Sequence, residues 1–279
     1  MRLALDGAGA ARSLPAMLIL RSLLFNILFY LNLALWLVFA AFPALLLPRR
    51  YLLVVTRGWS RSTLWLMRVV AGISCEIKGR EHVPTGGVMI ASKHQSSWET
   101  FVLVALFPEP VFILKRELTW VPFFGWCLIK LGMIPVDRGG RARALSQVTR
   151  RAKVEVGQKG RQLLIFPEGT RTAPGAPRSY KFGVAHIYGE LGVPCVPVAL
   201  NSGLYWPRRK FLRRPGTIRL EFLPAIAPGL GKAAFQKILE EQIETASDRL
   251  LTQGRVELAL LGLDPLAEPA DTTRQEPRP

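Results

Sequence analysis

From Ser22 to Leu47 the chain runs 26 residues without a charge. About 20 apolar residues suffice to cross the hydrocarbon core of a bilayer as helix. Only Ser22, Asn26, Tyr30 and Asn32 interrupt the run, and Arg21 and Arg49-Arg50 bracket it. A secretory leader has an apolar region of about 7–15 residues followed by a small-residue cleavage site. This run is longer and closes on Pro48-Arg49-Arg50, so it predicts membrane insertion. Pro43 is a candidate break. Residues 51–73 then mix aromatic and apolar positions with Arg57, Arg61 and Arg68. That pattern suits a helix in the headgroup layer with its arginine heads snorkelling. One spanning helix and two helices dipping into one leaflet read alike here. Positive charge at both ends fixes orientation only weakly.

From residue 74 the texture changes. Short β-branched runs at 74–79, 87–92, 111–115, 162–166, 195–200 and 217–223 alternate with helical periods. The helical ones include 141–157, with apolar residues three or four apart, and 232–251. Strands separated by helices predict an α/β fold, a mixed sheet covered by helices, behind an N-terminal hydrophobic helical membrane motif. The expected division is a membrane-embedded region 1–73, an α/β domain 74–263 and a disordered tail 264–279 rich in Pro, Glu, Asp and Thr. The 279 residues carry 37 Lys and Arg against 20 Asp and Glu, a net charge of +17. Such a surface attracts anionic lipid, phosphorylated substrates or acidic carrier proteins. Nucleic acid fits poorly, because no basic-aromatic module is present and a membrane segment precedes the domain. Cys75, Cys127 and Cys195 lie far apart, form no CxxC pair and have no histidine at metal-ligand spacing. They read as reduced, buried small side chains, and no metal site is expected.

Three places carry chemistry. His94 follows the buried run 87–92, and the C-terminal edge of a strand is where α/β folds place ligands. Glu99 stands five residues on. In a continuous helix the two would be 140° apart. If His94 lies in a loop and the helix starts near Ser96 or Ser97, the carboxylate reaches back to one ring nitrogen, making a general-base dyad. The same residues also read as a capping histidine beside a first-turn glutamate. Ser96 and Ser97 are not in a nucleophile elbow, so the simplest chemistry has the substrate supply the attacking hydroxyl. The second place, Phe166-Pro167-Glu168-Gly169-Thr170-Arg171, presents an arginine fork suited to phosphate after a strand. Lys115-Arg116-Glu117-Leu118 and Gly132 to Arg138 also put basic groups after strands.

Together these blocks resemble the membrane-associated glycerolipid acyltransferases, in particular the 1-acyl-glycerol-3-phosphate acyltransferase branch. The His-x4-Asp block of that family appears as His94 to Glu99, with glutamate in place of aspartate. The second region matches 115–118 and 132–138, the FPEGTR block matches 166–171 in full, and the strand with proline matches 196–198. All occur in family order, and the likeness spans about 75–224. It implies that His94 is the base and Glu99 its orienting carboxylate, with Arg138 and Arg171 the leading phosphate ligands. Lys115, Glu168, Gly169 and Thr170 complete the implied phosphate and glycerol site. It implies transfer from an acyl-ACP or acyl-CoA thioester to the sn-2 hydroxyl of 1-acyl-glycerol 3-phosphate, giving phosphatidic acid. No covalent intermediate and no cofactor beyond the co-substrate are expected. Glycerol 3-phosphate, another lysophospholipid or a lyso-aminolipid are the alternative acceptors. The implied partners are anionic membrane lipid, the lysophospholipid and the carrier protein or CoA thioester. The implied place is the cell inner membrane, with the α/β domain on its cytoplasmic face. A catalytically silent membrane scaffold is the contrasting class, and the intact His94–Glu99 pair argues against it.

Overall fold

A computed structural model describes residues 6–263, with the side chains of residues 6–15, Arg138 and Arg141 outside the description. The expected tail, 264–279, lies outside the described residues. The apolar run becomes helix α1 (Asp6–Leu35), which continues through a wider π-helical stretch, Trp36–Ala41, into the short α2 (Phe42–Ala44). Pro43 falls at the end of this continuous helix, which stops one residue later at Ala44. Pro48 then caps α3 (Arg49–Leu66), which runs on as π-helix to Ala71 and stops at Gly72, with φ +69°. The helices form a hairpin. The Trp36 indole lies so close over Gly58 that no β-carbon would fit there. Asn32 donates to Thr63 Oγ1 at 3.1 Å and accepts from Ser62 Oγ at 3.0 Å.

Seven strands follow: β1 (Ile73–Lys78), β2 (Val88–Ser92), β3 (Pro110–Lys115), β4 (Ile134–Val136), β5 (Gln162–Ile165), β6 (Cys195–Leu200) and β7 (Gly216–Phe222). They form one sheet in the order β1-β7-β6-β2-β5-β3-β4. Only β6 and β7 pair antiparallel, so the sheet is mixed, as expected. The central strand β2 is apolar without alternation because both of its faces are covered. Its register sets Ile90 between Leu164 of β5 and Val196 of β6.

Alternate side chains point to opposite faces, and two cores result. Met89, Ala91, Leu163 and Ile165 pack with α6 (Arg141–Ala152), α7 (Gly183–Leu191) and α9 (Lys232–Leu260). Val88, Ile90, Leu164 and Val196 pack with Phe101 of α4 (Trp98–Leu106) and with Phe25, Leu52 and Met67 of the hairpin. Two short helices complete the set, α5 (Phe124–Lys130) and α8 (Ser202–Tyr205). Polar contacts tie the hairpin down as well. Ser60 Oγ donates to Phe101 O at 2.7 Å and Arg57 Nη2 to Phe107 O at 3.0 Å. The sequence division at residue 73 therefore separates no independent body: the hairpin is the outer helical layer of the sheet. Its other side is bare. Leu20, Leu24, Ile27, Leu31 and Leu35 recur three or four apart along α1 and are all exposed. Among the described residues, Ala16–Ala44 is the one helical stretch long and apolar enough to cross a membrane.

Helix α9 runs nine residues beyond the expected 251. Gly254 lies inside this helix at a close contact. A β-carbon there would meet Leu204 Cδ1 at 2.6 Å and Asn201 Nδ2 at 2.9 Å, so glycine lets α9 pass over α8.

Candidate active site

Strands β2, β3, β4, β5 and β6 run parallel, so their C-terminal ends share one edge. There the chain leaves β2 as the loop Lys93–Ser97 before α4 begins with Ser97 at its N-cap. The loop removes the 140° offset of a continuous helix. His94 Nδ1 lies 2.9 Å from Glu99 Oε1, with 14% of the His94 side chain exposed and none of Glu99. The same oxygen accepts the amides of Gln95, at 2.6 Å, and Ser96, at 2.7 Å. Ser202 Oγ, at the exit of β6, donates to Oε2 at 2.9 Å. Each of these partners is a donor, which is what an ionised carboxylate cut off from water requires. Nδ1 accordingly carries the hydrogen and Nε2 keeps its lone pair. Nε2 has no hydrogen-bond partner among the described residues. The ring stacks on Phe166 at 3.9 Å and 14°, which fixes its plane.

The FPEGTR turn backs this loop. Glu168, expected to meet substrate, points inward and is 3% exposed. Its Oε2 accepts the His94 amide at 2.8 Å, and its Oε1 accepts Thr172 Oγ1 at 2.6 Å and pairs with Lys93 Nζ at 3.0 Å. Both oxygens are engaged by the loop and its neighbours, so Glu168 braces the histidine loop. The Thr172 amide closes the brace on His94 O at 2.8 Å. Lys93 also reaches Glu244 of α9 at 2.5 Å, and Tyr180 OH donates to that carboxylate at 2.8 Å. Burial opposes the charge on Lys93, but Glu168 and Glu244 outweigh it and hold the ammonium above its ordinary range. Burial first, then Glu244, pushes the Tyr180 phenol well above its usual range.

Arg171 donates through Nη1 to Ser97 Oγ at 2.7 Å, which places it at the start of α4 beside the dyad. Burial, then the neighbouring Arg208, lowers its pKa from the ordinary arginine value. Gly169, with φ +69°, makes the turn, and Thr170 is exposed next to it. Lys115 ends β3 on the same edge, two strands from β2, and its exposed ammonium pairs with Glu117 at 2.9 Å. The backbone of Arg138 lies in the turn after β4, at the far end of that edge, and its side chain is outside the described residues. His94 is thus bonded directly to Glu99 and Glu168, and Arg171 joins them through Ser97, whereas among the described residues Lys115 makes no hydrogen bond or ion pair with any of them. In the sequence Phe166 stands out only as part of the FPEGTR block, and Lys93, Ser202, Glu244 and Tyr180 have no assigned role. A lysine beside His94 behind a buried strand was the available signal for Lys93. Among the described residues, no three His, Cys, Asp or Glu side chains gather to hold a metal ion.

Fold and site together define a membrane-associated acyltransferase. Residues 74–201 match the family model described as Acyltransferase. The chain is 40% identical over 222 residues to the 1-acyl-sn-glycerol-3-phosphate acyltransferase of Pseudomonas aeruginosa, covering 78% of this chain and 86% of that protein. It is 32% identical over 165 residues to the enzyme of the same name from Limnanthes alba, and 31% identical over 160 residues to the alpha enzyme of Mus musculus. It spans a little over half of those two, 57% and 56%. The crystal structure of the 1-acyl-sn-glycerophosphate (LPA) acyltransferase PlsC from Thermotoga maritima superposes with a TM-score of 0.68 at 22% identity, covering 83% of this chain and 97% of that one, a likeness of fold. This chain belongs to the 1-acyl-sn-glycerol-3-phosphate acyltransferase family. It is an enzyme that moves an acyl group from a thioester donor to a lysophospholipid acceptor, in association with a membrane.

Proposed function

We propose that the enzyme acylates the sn-2 hydroxyl of 1-acyl-glycerol 3-phosphate, giving phosphatidic acid. The donor is a soluble thioester, acyl-ACP or acyl-CoA. His94 Nε2 takes the hydroxyl proton as the acceptor oxygen attacks the thioester carbonyl. Glu99 stabilises the imidazolium that forms. Collapse of the tetrahedral species breaks the C–S bond, and the departing thiolate takes the proton back from Nε2. Arg171 holds the acceptor phosphate, with Lys115, Arg138 and Thr170 on the same strand edge as its proposed helpers. Gly169 keeps the turn close to the substrate, and Glu168 acts only through the His94 loop. The observation that carries the reading is the free Nε2 of a histidine whose Nδ1 is fixed on a buried carboxylate.

The same reading sets the hairpin in one leaflet. The helical run touches the α/β domain twice: Ser22 of α1 accepts the Arg213 amide at 2.9 Å, and Phe42 of α2 packs edge-on against Phe123 at 5.3 Å. A helix lying along the domain cannot also cross the bilayer away from it. The α/β domain, 74–263, then rests on the cytoplasmic face of the inner membrane, where the soluble donors are found.

The test is acyl transfer by His94→Ala in full-length protein, together with intact-mass analysis of the wild type given labelled thioester and no acceptor. The variant is expected to lose activity while folded and vesicle-bound, and the wild type to show no adduct. A kinetically competent acyl adduct on Ser96 or Ser97 overturns direct transfer.

A further inference from the structure

The α/β domain has an apolar surface of its own that the hairpin leaves uncovered. Strand β3 ends at Lys115 on the catalytic edge, and the chain passes through a turn, Arg116–Trp120, into α5. Along this stretch Leu118, Trp120, Val121, Trp126 and Ile129 are between 40% and 65% exposed. Apolar side chains scattered singly need no explanation, but several large ones gathered on one stretch mark a contact surface. The backbone is shaped to present them. Phe123 holds φ +60°, a conformation that side chains other than glycine rarely adopt, and the Phe124 amide closes a tight turn on Pro122 O at 2.6 Å. A β-carbon on Gly125 would lie 2.2 Å from Thr119 O, so α5 sits flush on the turn before it. The inner side of α5 is taken up by the core, where Cys127 belongs to the same cluster as Phe25, Leu52 and Met67 of the hairpin. Trp126 and Ile129, three apart, are left on its outer side.

Helix α5 and the hairpin therefore cover the same face of the sheet, and they touch. Phe42 packs against Phe123, which packs in turn against Trp126 at 5.1 Å. Lys130 Nζ donates to Leu45 O, and Arg49 Nε to Leu131 O at 3.3 Å. At the hairpin turn Phe39, Phe42, Leu46 and Leu47 are exposed too. The stretch thus extends the bare surface of the hairpin as far as the end of β3.

Resting on the hairpin's place in one leaflet, we infer that residues 118–129 form a second membrane contact, a tryptophan-tipped wedge that enters the same leaflet and holds the catalytic edge against the headgroup layer. Tryptophan suits that depth, with an apolar body and a polar N–H. The Arg116 guanidinium lies over the Trp120 ring at 5.5 Å and pairs with Asp137 at 2.8 Å, which keeps its charge on the water side of the wedge. A hairpin alone leaves the domain free to roll about the helix axis, and a contact beside it removes that freedom. A protein seated on this patch would have to displace lipid from Phe42, which touches Phe123.

The test uses full-length protein on vesicles whose lipid is brominated on its upper acyl carbons. Bromine quenches tryptophan on contact. Trp120→Phe and Trp126→Phe keep the surface apolar, and each is expected to reduce the quenched share of the emission. Trp120→Ser combined with Trp126→Ser is expected to melt like the wild type, because both rings are largely exposed. It is expected to raise the KM for a long-chain acceptor held in vesicles by roughly 3- to 10-fold per ring. The KM values for a water-soluble short-chain acceptor and for the thioester are expected to stay put. Leu230→Ser, at an exposed leucine beside α7 on the other face of the sheet, is expected to change neither readout. Unchanged quenching in both Phe variants overturns the inference, since the rings then face water or protein. An equal rise in KM for the two acceptors overturns it too, by placing the rings in the substrate site. Self-association of the wild type that the Ser pair abolishes gives the patch to a second copy and likewise overturns it. A wild type that fails to float with vesicles would instead remove the leaflet reading on which the wedge rests.

Discussion

Glu99→Gln isolates charge from shape. The amide keeps an oxygen for the three donors now on Oε1, namely His94 Nδ1 and the amides of Gln95 and Ser96. Its nitrogen takes the place of Oε2, and the Ser202 hydroxyl turns to accept from it. What disappears is the negative charge that steadies imidazolium during transfer. With charge centres about 4 Å apart and an effective dielectric near 20, that attraction is worth roughly 4 kcal/mol. The barrier rises by about that amount, a fall in kcat of about a thousandfold. Neither substrate touches the buried Glu99 side chain, so both KM values are expected to stay put. The assay is steady-state transfer with each substrate varied, beside a thermal melt and vesicle flotation. The variant is expected to melt near the wild type, because a neutral group replaces a charge that among the described residues has no ion-pair partner other than His94. Combining it with His94→Ala is expected to add little, since the two act as one unit. A folded Glu99→Gln enzyme with kcat within about tenfold of wild type refutes the dyad.

Truncation of residues 1–72 is expected to unfold the α/β domain and not merely release it. Phe25, Leu52, Leu53 and Met67 are at most 4% exposed, and each such burial is worth roughly 1.5–3 kcal/mol. Their sum is comparable with a whole domain's roughly 5–15 kcal/mol, and a soluble, cooperatively melting fragment would contradict this. A wash in high salt is expected to leave the intact protein on membranes, since salt screens charge but not apolar burial; complete release into the wash counts against insertion. Acid stability follows from Glu155. Burial acts to raise its pKa, but hydrogen bonds from Lys159 and Arg161 outweigh this and hold it below the ordinary value. Its contribution is therefore full above the ordinary carboxylate range and lost as pH falls through the lowered pKa. Melts from pH 6 to pH 3 are expected to show a steeper loss for wild type than for Glu155→Gln, and parallel slopes would refute it.

What the sequence made legible was local. The five-residue step from His94 to Glu99 works because the intervening chain is loop up to Ser97, and serines before an apolar helix signal that break. The brace behind it was not legible. A glutamate between proline and glycine reads as exposed, and only the fold brings Lys93, 75 residues earlier, onto Glu168. Ser202 is 103 residues from Glu99 and carries no mark of its own. The C-terminal helix reaches the site through Glu244, on a face whose apolar spacing alone suggests packing.

The apolar run hid its meaning differently. Composition treats every unpaired asparagine in it as an interruption of a lipid-facing helix. The cost of leaving an amide unpartnered in an apolar medium is a few kcal/mol, so each must find a polar partner or sit in water. Asn32 finds Ser62 and Thr63 within the hairpin, while Asn26 finds the backbone of Phe211 and the guanidinium of Arg213. One side of α1 is accordingly protein-facing and carries the exceptions. The other carries the uninterrupted stripe from Leu20 to Leu35. Hydropathy averaged around the helix merges these two surfaces into a single apolar span. The positions of its polar residues separate them again, and on the protein-facing side they lead to the cationic segment beside Arg171.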